Sequence, residues 1–173
     1  MAARLRRGRE DAPMRRADLS AAEVSFDPED PPGFRAAMAR FGPDFGARDS
    51  GASLYELPPG EALCPYHYEY GEEEWLLVLD GRVTVRAPDG TEELGPNELV
   101  FFPAGPEGAH QVRNDSGAPV RVLMWSTLET PAVTAYPDSD KVGVYVHPRE
   151  ENLLVRRSSA VDYYDGEDRA NRS

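Results

Sequence analysis

From Ser50 to Thr127 apolar and polar residues alternate in short runs, the two-residue period of a strand with one buried face. Eight such runs follow one another: SLYELP, CPYHYEY, EEWLLVLD, RVTVRAP, TEELG, ELVFFP, HQVRN and PVRVLMWST. The connectors are turn sequences, among them Asp80-Gly81, Asp89-Gly90, Gly95-Pro96-Asn97 and Asp115-Ser116-Gly117. Short strands at this spacing predict an all-β, small antiparallel sandwich or barrel. WLLVL, residues 75–79, is apolar on both faces and predicts a central strand covered on each side. Trp75 and Trp125 are expected in the core. Upstream, GFRAAMARFG (residues 33–42) sets Phe34, Met38 and Phe41 at helical spacing between glycines, which predicts one short N-terminal helix. Downstream the pattern loosens into irregular tails. Val142, Val144 and Val146 alternate there and predict a further strand packed outside the barrel, with Leu153 and Leu154 behind it.

Length and charge narrow the classes. The 173 residues fit one domain with tails: a disordered arm over 1–30, a body over 31–155 with its core at 50–127, and a partly packed tail over 156–173. No apolar run approaches the length of a membrane span, and no apolar segment follows the basic N-terminus, so neither a span nor a secretory signal is expected. A lone cysteine, Cys64, permits no internal disulfide and fits a reducing, cytoplasmic setting. The net charge of -12 argues against nucleic acid as a partner. Residues 1–20 carry six arginines against Glu10, Asp11 and Asp18, a balance of +3, which leaves -15 on the remainder.

Only three histidines occur, and two of them lie in the strand-rich middle. His67 and Glu69, two apart on a strand, point to one face, while Tyr66, Tyr68 and Tyr70 point to the other. Cys64 is three residues before His67 and is therefore expected on the opposite face, as core packing. Glu74 follows Gly71 and opens the next strand, so a tight hairpin brings it beside His67. His110 starts a strand after the compact loop PAGPEGA, and closure of the sheet sets it across from the others. Two imidazoles with one or two carboxylates make a divalent-metal site. Hard oxygen mixed with imidazole favours Mn, Fe(II), Ni or Co, with Zn a less natural occupant in the absence of thiolate.

The same two runs resemble the signature motifs of the cupin superfamily. The first reads Gly60, six residues, His67, Tyr68, Glu69, four residues, Glu74, six residues, Gly81. The second reads Gly95, then Pro103-Ala104-Gly105, His110 and Asn114. The resemblance covers about residues 50–127 and implies a jelly-roll β-barrel with His67, Glu74 and His110 at ligand positions. Glu69 stands where the family pattern has its second histidine. Two roles are open to it: a further metal ligand, or a carboxylate beside the metal that moves a proton.

Other polar residues receive lesser roles. Asn114 is expected to fix a turn or support His110, and His147 to lie at the surface. The VDYYDGE tail is expected to pack on the outside rather than to cover the barrel mouth. The expected function is that of a small-molecule metalloenzyme, of oxygenase, isomerase or lyase type. The alternative is a non-catalytic module that binds or senses a small ligand in the same pocket. A homodimer is expected, with residues 33–58 as the candidate pairing segment.

Overall fold

The computed structural model of the protein describes residues 14–167. All eight runs of the middle form strands, and every pairing among the strands is antiparallel. One layer is a five-stranded sheet in the order β1 (Ala37–Arg40), β2 (Ser50–Leu57), β9 (Val120–Thr127), β4 (Glu74–Asp80) and β7 (Leu99–Phe102). The rest of the fold is a three-stranded and a four-stranded sheet. The first runs β6 (Gly90–Leu94), β5 (Val83–Ala87), β8 (Gln111–Arg113); the second runs β12 (Leu153–Arg156), β11 (Lys141–Tyr145), β10 (Ala132–Tyr136), β3 (Tyr68–Glu69). Isolated bridges at Ala62↔Arg113 and His67↔His110 stitch the flank of β8 to the segment entering β3. The jelly-roll expectation from the sequence holds.

The core draws on both sides of the fold. Leu57, Leu76, Val78, Val83, Val120 and Val122 have no exposed surface, and Leu94, Phe102 and Val112 close around them. Burying each such side chain contributes roughly 1.5–3 kcal/mol. The inward set on β4 is Glu74, Leu76 and Val78, so the strand that opens on a carboxylate continues as core.

Four expectations need correction. β4 is central, between β9 and β7, but it is covered fully on one face only. Trp75 and Trp125 are not core; they stack on the outer face of the sheet, centroids 5.9 Å apart and nearly parallel, with the Phe101 ring 4.7 Å from Trp75. A mutual aromatic stack shelters rings that no second layer covers. Secondly, the helix expected over 33–42 is displaced. Residues 37–40 are β1, paired with β2 from Ala37↔Glu56 to Arg40↔Ser53, and a short helix α1 (Phe41–Phe45) follows. The open edge of β2 overrides the helical tendency of the alanines by satisfying the backbone of this run. Thirdly, β10 lies in a stretch that reads as loosened, because apolar and polar residues do not alternate in AVTAY: the adjacent Thr134 and Ala135 are both buried. Fourthly, Leu153 and Leu154 do not lie behind β11. They belong to β12, an edge strand on the same sheet, where both are about half exposed.

The ends are simpler. The first thirteen residues of the expected arm, and residues 168–173 of the tail, lie outside the described residues. From Met14 onward the arm makes contacts: the Arg121 guanidinium donates to the carbonyls of Ser20 and Ala22, and Ser25 bridges to Met38. Tyr163 and Tyr164 neither cover the barrel mouth nor join a packed strand; they meet edge to face, 88% and 76% exposed.

Asn114 holds a turn. Fully buried, it donates from Nδ2 to the carbonyls of Leu57 and Ala118, both at 2.8 Å, and accepts from the Ser116 amide and hydroxyl. Asn114→Ala leaves a buried carbonyl without a donor and is expected to cost about 2–3 kcal/mol, read from urea unfolding of the metal-free protein. An unchanged midpoint would remove Asn114 from this role.

Candidate metal centre

Three side chains meet between the layers. His67 precedes β3, His110 precedes β8, and Glu74 is the first residue of β4. The antiparallel bridge between His67 and His110, with backbone N–H to carbonyl distances of 3.1 and 2.8 Å, sets the two rings side by side at a centroid distance of 4.8 Å. Glu74 reaches them from the five-stranded sheet. Its Oε2 is 3.6 Å from His67 Nε2 and 3.4 Å from His110 Nε2, and the three possible ligand atoms lie within 4.8 Å of one another.

Backbone carbonyls fix both tautomers. His110 Nδ1 is 2.9 Å from the Gly108 carbonyl, and His67 Nδ1 is 3.1 Å from that of Pro65. A carbonyl only accepts, so each Nδ1 carries a hydrogen, and Nε2 is the nitrogen that each ring turns toward Glu74. Phe102 lies flat on the His110 ring, 3.7 Å between centroids and 9° from parallel, and holds its plane. Gly108 has no space for a side chain, since a Cβ there would fall 1.8 Å from the Pro103 carbonyl oxygen. The loop after β7 is thus folded tightly enough to aim His110.

The donor set fits a divalent cation. His110 Nε2 is buried with no hydrogen-bond partner, and it faces a carboxylate oxygen that likewise only accepts. Acceptors gathered at one buried point call for a cation or a proton between them. The charges follow that logic. Burial opposes charge on His67 but is outweighed by the Cys64 sulfur and Glu74, so its pKa is raised. Burial, and then the neighbouring His67, push His110 down. Burial raises Glu74, yet the hydrogen bond from His67 and the two rings prevail and lower it.

Glu69 faces the same interior but turns aside from the three. Both its carboxylate oxygens accept from the Thr134 hydroxyl, at 2.9 and 2.7 Å, across the β3–β10 pairing Glu69↔Thr134. Burial raises its pKa, against the lowering hydrogen bond of Thr134. Beyond Thr134, Tyr136 stacks on His67 at 6.1 Å, and its hydroxyl lies 2.6 Å from that of Tyr145. The Tyr145 ring folds over Gly143, where a Cβ would come within 2.7 Å of it. Burial and then Tyr145 raise the Tyr136 phenol, keeping it protonated. Neither tyrosine stands out in the sequence; their alternation with Thr134 and Gly143 in adjoining strands is the signal that was there to read.

Cys64 is a correction. Its sulfur is 3.4 Å from His67 Nδ1, not on the opposite face, because residues 63–66 form bends and strand alternation does not run through them. Tyr68 and Tyr70 do lie together away from the site, hydroxyls 3.2 Å apart, with Arg157 bonded to Tyr70.

A cavity of about 420 Å³ opens beside the cluster, with Glu74, Ser53, Tyr55, Met124 and Ser126 in its wall. A larger one of about 540 Å³, walled by residues of β6 and β7, includes no member of the cluster. No helix among the described residues is long and apolar enough to cross a membrane.

Residues 53–126 match the family model described as Cupin domain. A sugar phosphate isomerase of the cupin superfamily from Silicibacter pomeroyi superposes with a TM-score of 0.73 at 22% identity, covering 87% of this chain and 98% of its own. A candidate sugar phosphate isomerase from Acidithiobacillus ferrooxidans gives 0.73 at 24%, covering 83% and 91%. The polyketide cyclase RemF from Streptomyces resistomycificus gives 0.56 at 27%, covering 69% and 83%. No curated protein matches the chain.

The site predicts about one divalent ion per chain by elemental analysis, lost in His67→Ala and in His110→Ala. Retention of the ion in both variants would sink the site. His67 holds a proton in the metal-free protein, and a cation must expel it. Apparent affinity should therefore rise with pH by about tenfold per unit through neutrality, as titration at several pH values will read.

Proposed function

From the membership of this chain in the cupin superfamily, we propose that it is a metal-dependent enzyme that moves a proton beside a carbonyl in a small substrate, an isomerase or lyase. The observation that carries the reading is Glu69, a half-buried carboxylate held on Thr134 next to a two-imidazole, one-carboxylate cluster. We assign His67, Glu74 and His110 as ligands of Mn, Fe(II), Ni or Zn. The bound ion supplies Lewis-acid polarisation of substrate oxygens and offsets developing negative charge.

The chain's own groups do the rest. Glu69 takes the proton from the substrate carbon and returns it to a neighbouring atom. Thr134 holds that carboxylate in place while its charge changes. The Tyr136 phenol, protonated and paired with Tyr145, donates to an oxygen of the substrate. The apolar wall from Met124 and the core below it keeps water from the reacting carbon. RemF, a cyclase on the same fold, is one neighbour with a small-molecule reaction.

The test is solvent exchange. Metal-loaded protein should wash deuterium from D2O into the carbon beside the carbonyl for some members of an α-hydroxycarbonyl panel, followed by proton NMR. Glu69→Gln should lower that rate by about 100-fold or more with metal content unchanged. A drop in metal affinity in that variant would make Glu69 a fourth ligand instead. Oxygen uptake with Fe(II) would move the reaction to the oxygenases. No exchange together with tight reversible ligand binding would leave a sensor.

We also propose a homodimer. Leu99 and Phe101 are 53% and 41% exposed on the outer face that carries the Trp75–Trp125 stack, an apolar patch that suits a second copy. Light scattering should give twice the chain mass for the wild type and a monomer for Phe101→Glu with its metal intact. A wild-type monomer at micromolar concentration would overturn this.

A further inference from the structure

The cavity beside Glu74 has a rim that metal binding does not use. Arg40, at the end of β1, and His147 and Arg149, just beyond β11, line it together with Glu74. His147 reads from the sequence as a surface residue; it is exposed, but on the wall of this cavity. Segments more than a hundred positions apart therefore bring three nitrogen-bearing side chains to one opening. Glu74 is the only acid in the wall, and its carboxylate is committed to the two imidazoles.

Neither guanidinium is spent on an ion pair. Among the described residues Arg82, Arg86, Arg113 and Arg121 have carboxylate partners; Arg40 and Arg149 have none, as is true of six other arginines, and what sets these two apart is that both line one cavity. The polar contact that Arg40 does make is Nε to the Met38 sulfur at 3.5 Å, a weak acceptor. In a chain of net charge -12, two unpaired arginines over a cavity are a local exception to the charge of the body. An anion is repelled by most of such a surface and drawn to this opening.

We infer that Arg40, His147 and Arg149 form an anion subsite at the mouth of the cavity that Glu74 lines, and that the substrate is a small phosphomonoester whose phosphate they hold. This rests on the reading of the cavity as the substrate site. Two guanidinium forks match a dianion with three terminal oxygens better than a carboxylate, which one fork saturates. A cavity of about 420 Å³ has space for a short carbon chain between that phosphate and the cluster. The phosphate anchors the ligand at the rim, and its far end reaches toward Glu74, the member of the cluster in the cavity wall. The rim thus contributes binding and orientation, and the chemistry is confined to the base.

The experiment uses inorganic phosphate as the probe, titrated calorimetrically into the full-length metal-loaded protein, with acetate as the comparison. Wild type should bind phosphate at least about tenfold more tightly than acetate. Arg40→Gln and Arg149→Gln should each weaken phosphate by about tenfold or more, and the double variant should abolish it, with metal content unchanged. Equal phosphate affinity in wild type and double variant would place the anion on the metal and overturn the subsite. No phosphate binding to wild type, or acetate binding as tightly, would overturn it as well. The same titration on metal-free His110→Ala separates the two readings. Phosphate binding that survives there and depends on Arg40 and Arg149 upholds the rim even where the metal centre fails.

Discussion

A buried convergence of acceptors, two imidazole nitrogens and one carboxylate oxygen, governs the rest of this structure. Among the described residues His110 Nε2 has no hydrogen-bond partner at all. In a medium of low dielectric such an arrangement costs several kcal/mol unless a cation or a proton lies within it. The metal-free protein answers with a proton, which the balance of charges puts on His67. A metal answers with two positive charges. Either way the fold must bring both layers into register, because the histidines belong to the bridge His67↔His110 and Glu74 to the sheet opposite. The site therefore forms only when the core between the layers is packed, and binding at the site is in turn linked to folding.

β4 shows how closely the two tasks are joined. Along one face it reads Glu74, Leu76, Val78: a ligand, then two residues with no exposed surface. Along the other it reads Trp75 and Leu77; Trp125 and Phe101 shield Trp75, and Leu99 and Leu123 pair across from Leu77, in place of a second layer. A register slip of one residue would exchange the carboxylate for an indole and empty the core in the same step. The pairings Glu74↔Ser126 and Glu74↔Phe102 on either side resist that slip, and Phe102 also holds the His110 ring flat.

Much of this was legible in the chain. Alternation gave every strand of the middle, and the spacing of His67, Glu74 and His110 proved compatible with their meeting. The misreadings share a cause, which is that parity counts only where backbone is extended. Counting three residues back from His67 puts Cys64 on the wrong face, because the bends between them reset the count. Residues 37–40 look helical because alanine favours helices, but the unpaired edge of β2 is a stronger claim on their backbone than propensity is. The tryptophans read as core because large apolar rings usually are; no local pattern says which face of a sheet lacks a second layer. Alternation with Thr134 and Gly143 was the one local signal for Tyr136 and Tyr145, and the rim arginines had none, since what distinguishes them is the company of residues far along the chain.

The distribution of charge then separates the site into two parts with different work. At the base, Glu74 stands beside two buried imidazoles, where a metal cation is favoured and a free anion is not. At the rim, Arg40 and Arg149 lie exposed and unpaired, where an anion is favoured and a cation is not. Each end repels what the other attracts. A metal ion reaching the base would not be held at the rim on its way, and an anionic ligand would be held at the rim, away from the cluster. A molecule bearing charge at one end and neutral oxygens at the other fits this polarity in one direction only. Reversed, it would set its anion beside Glu74 and leave both guanidiniums without a partner, so the gradient itself would select which end meets the cluster.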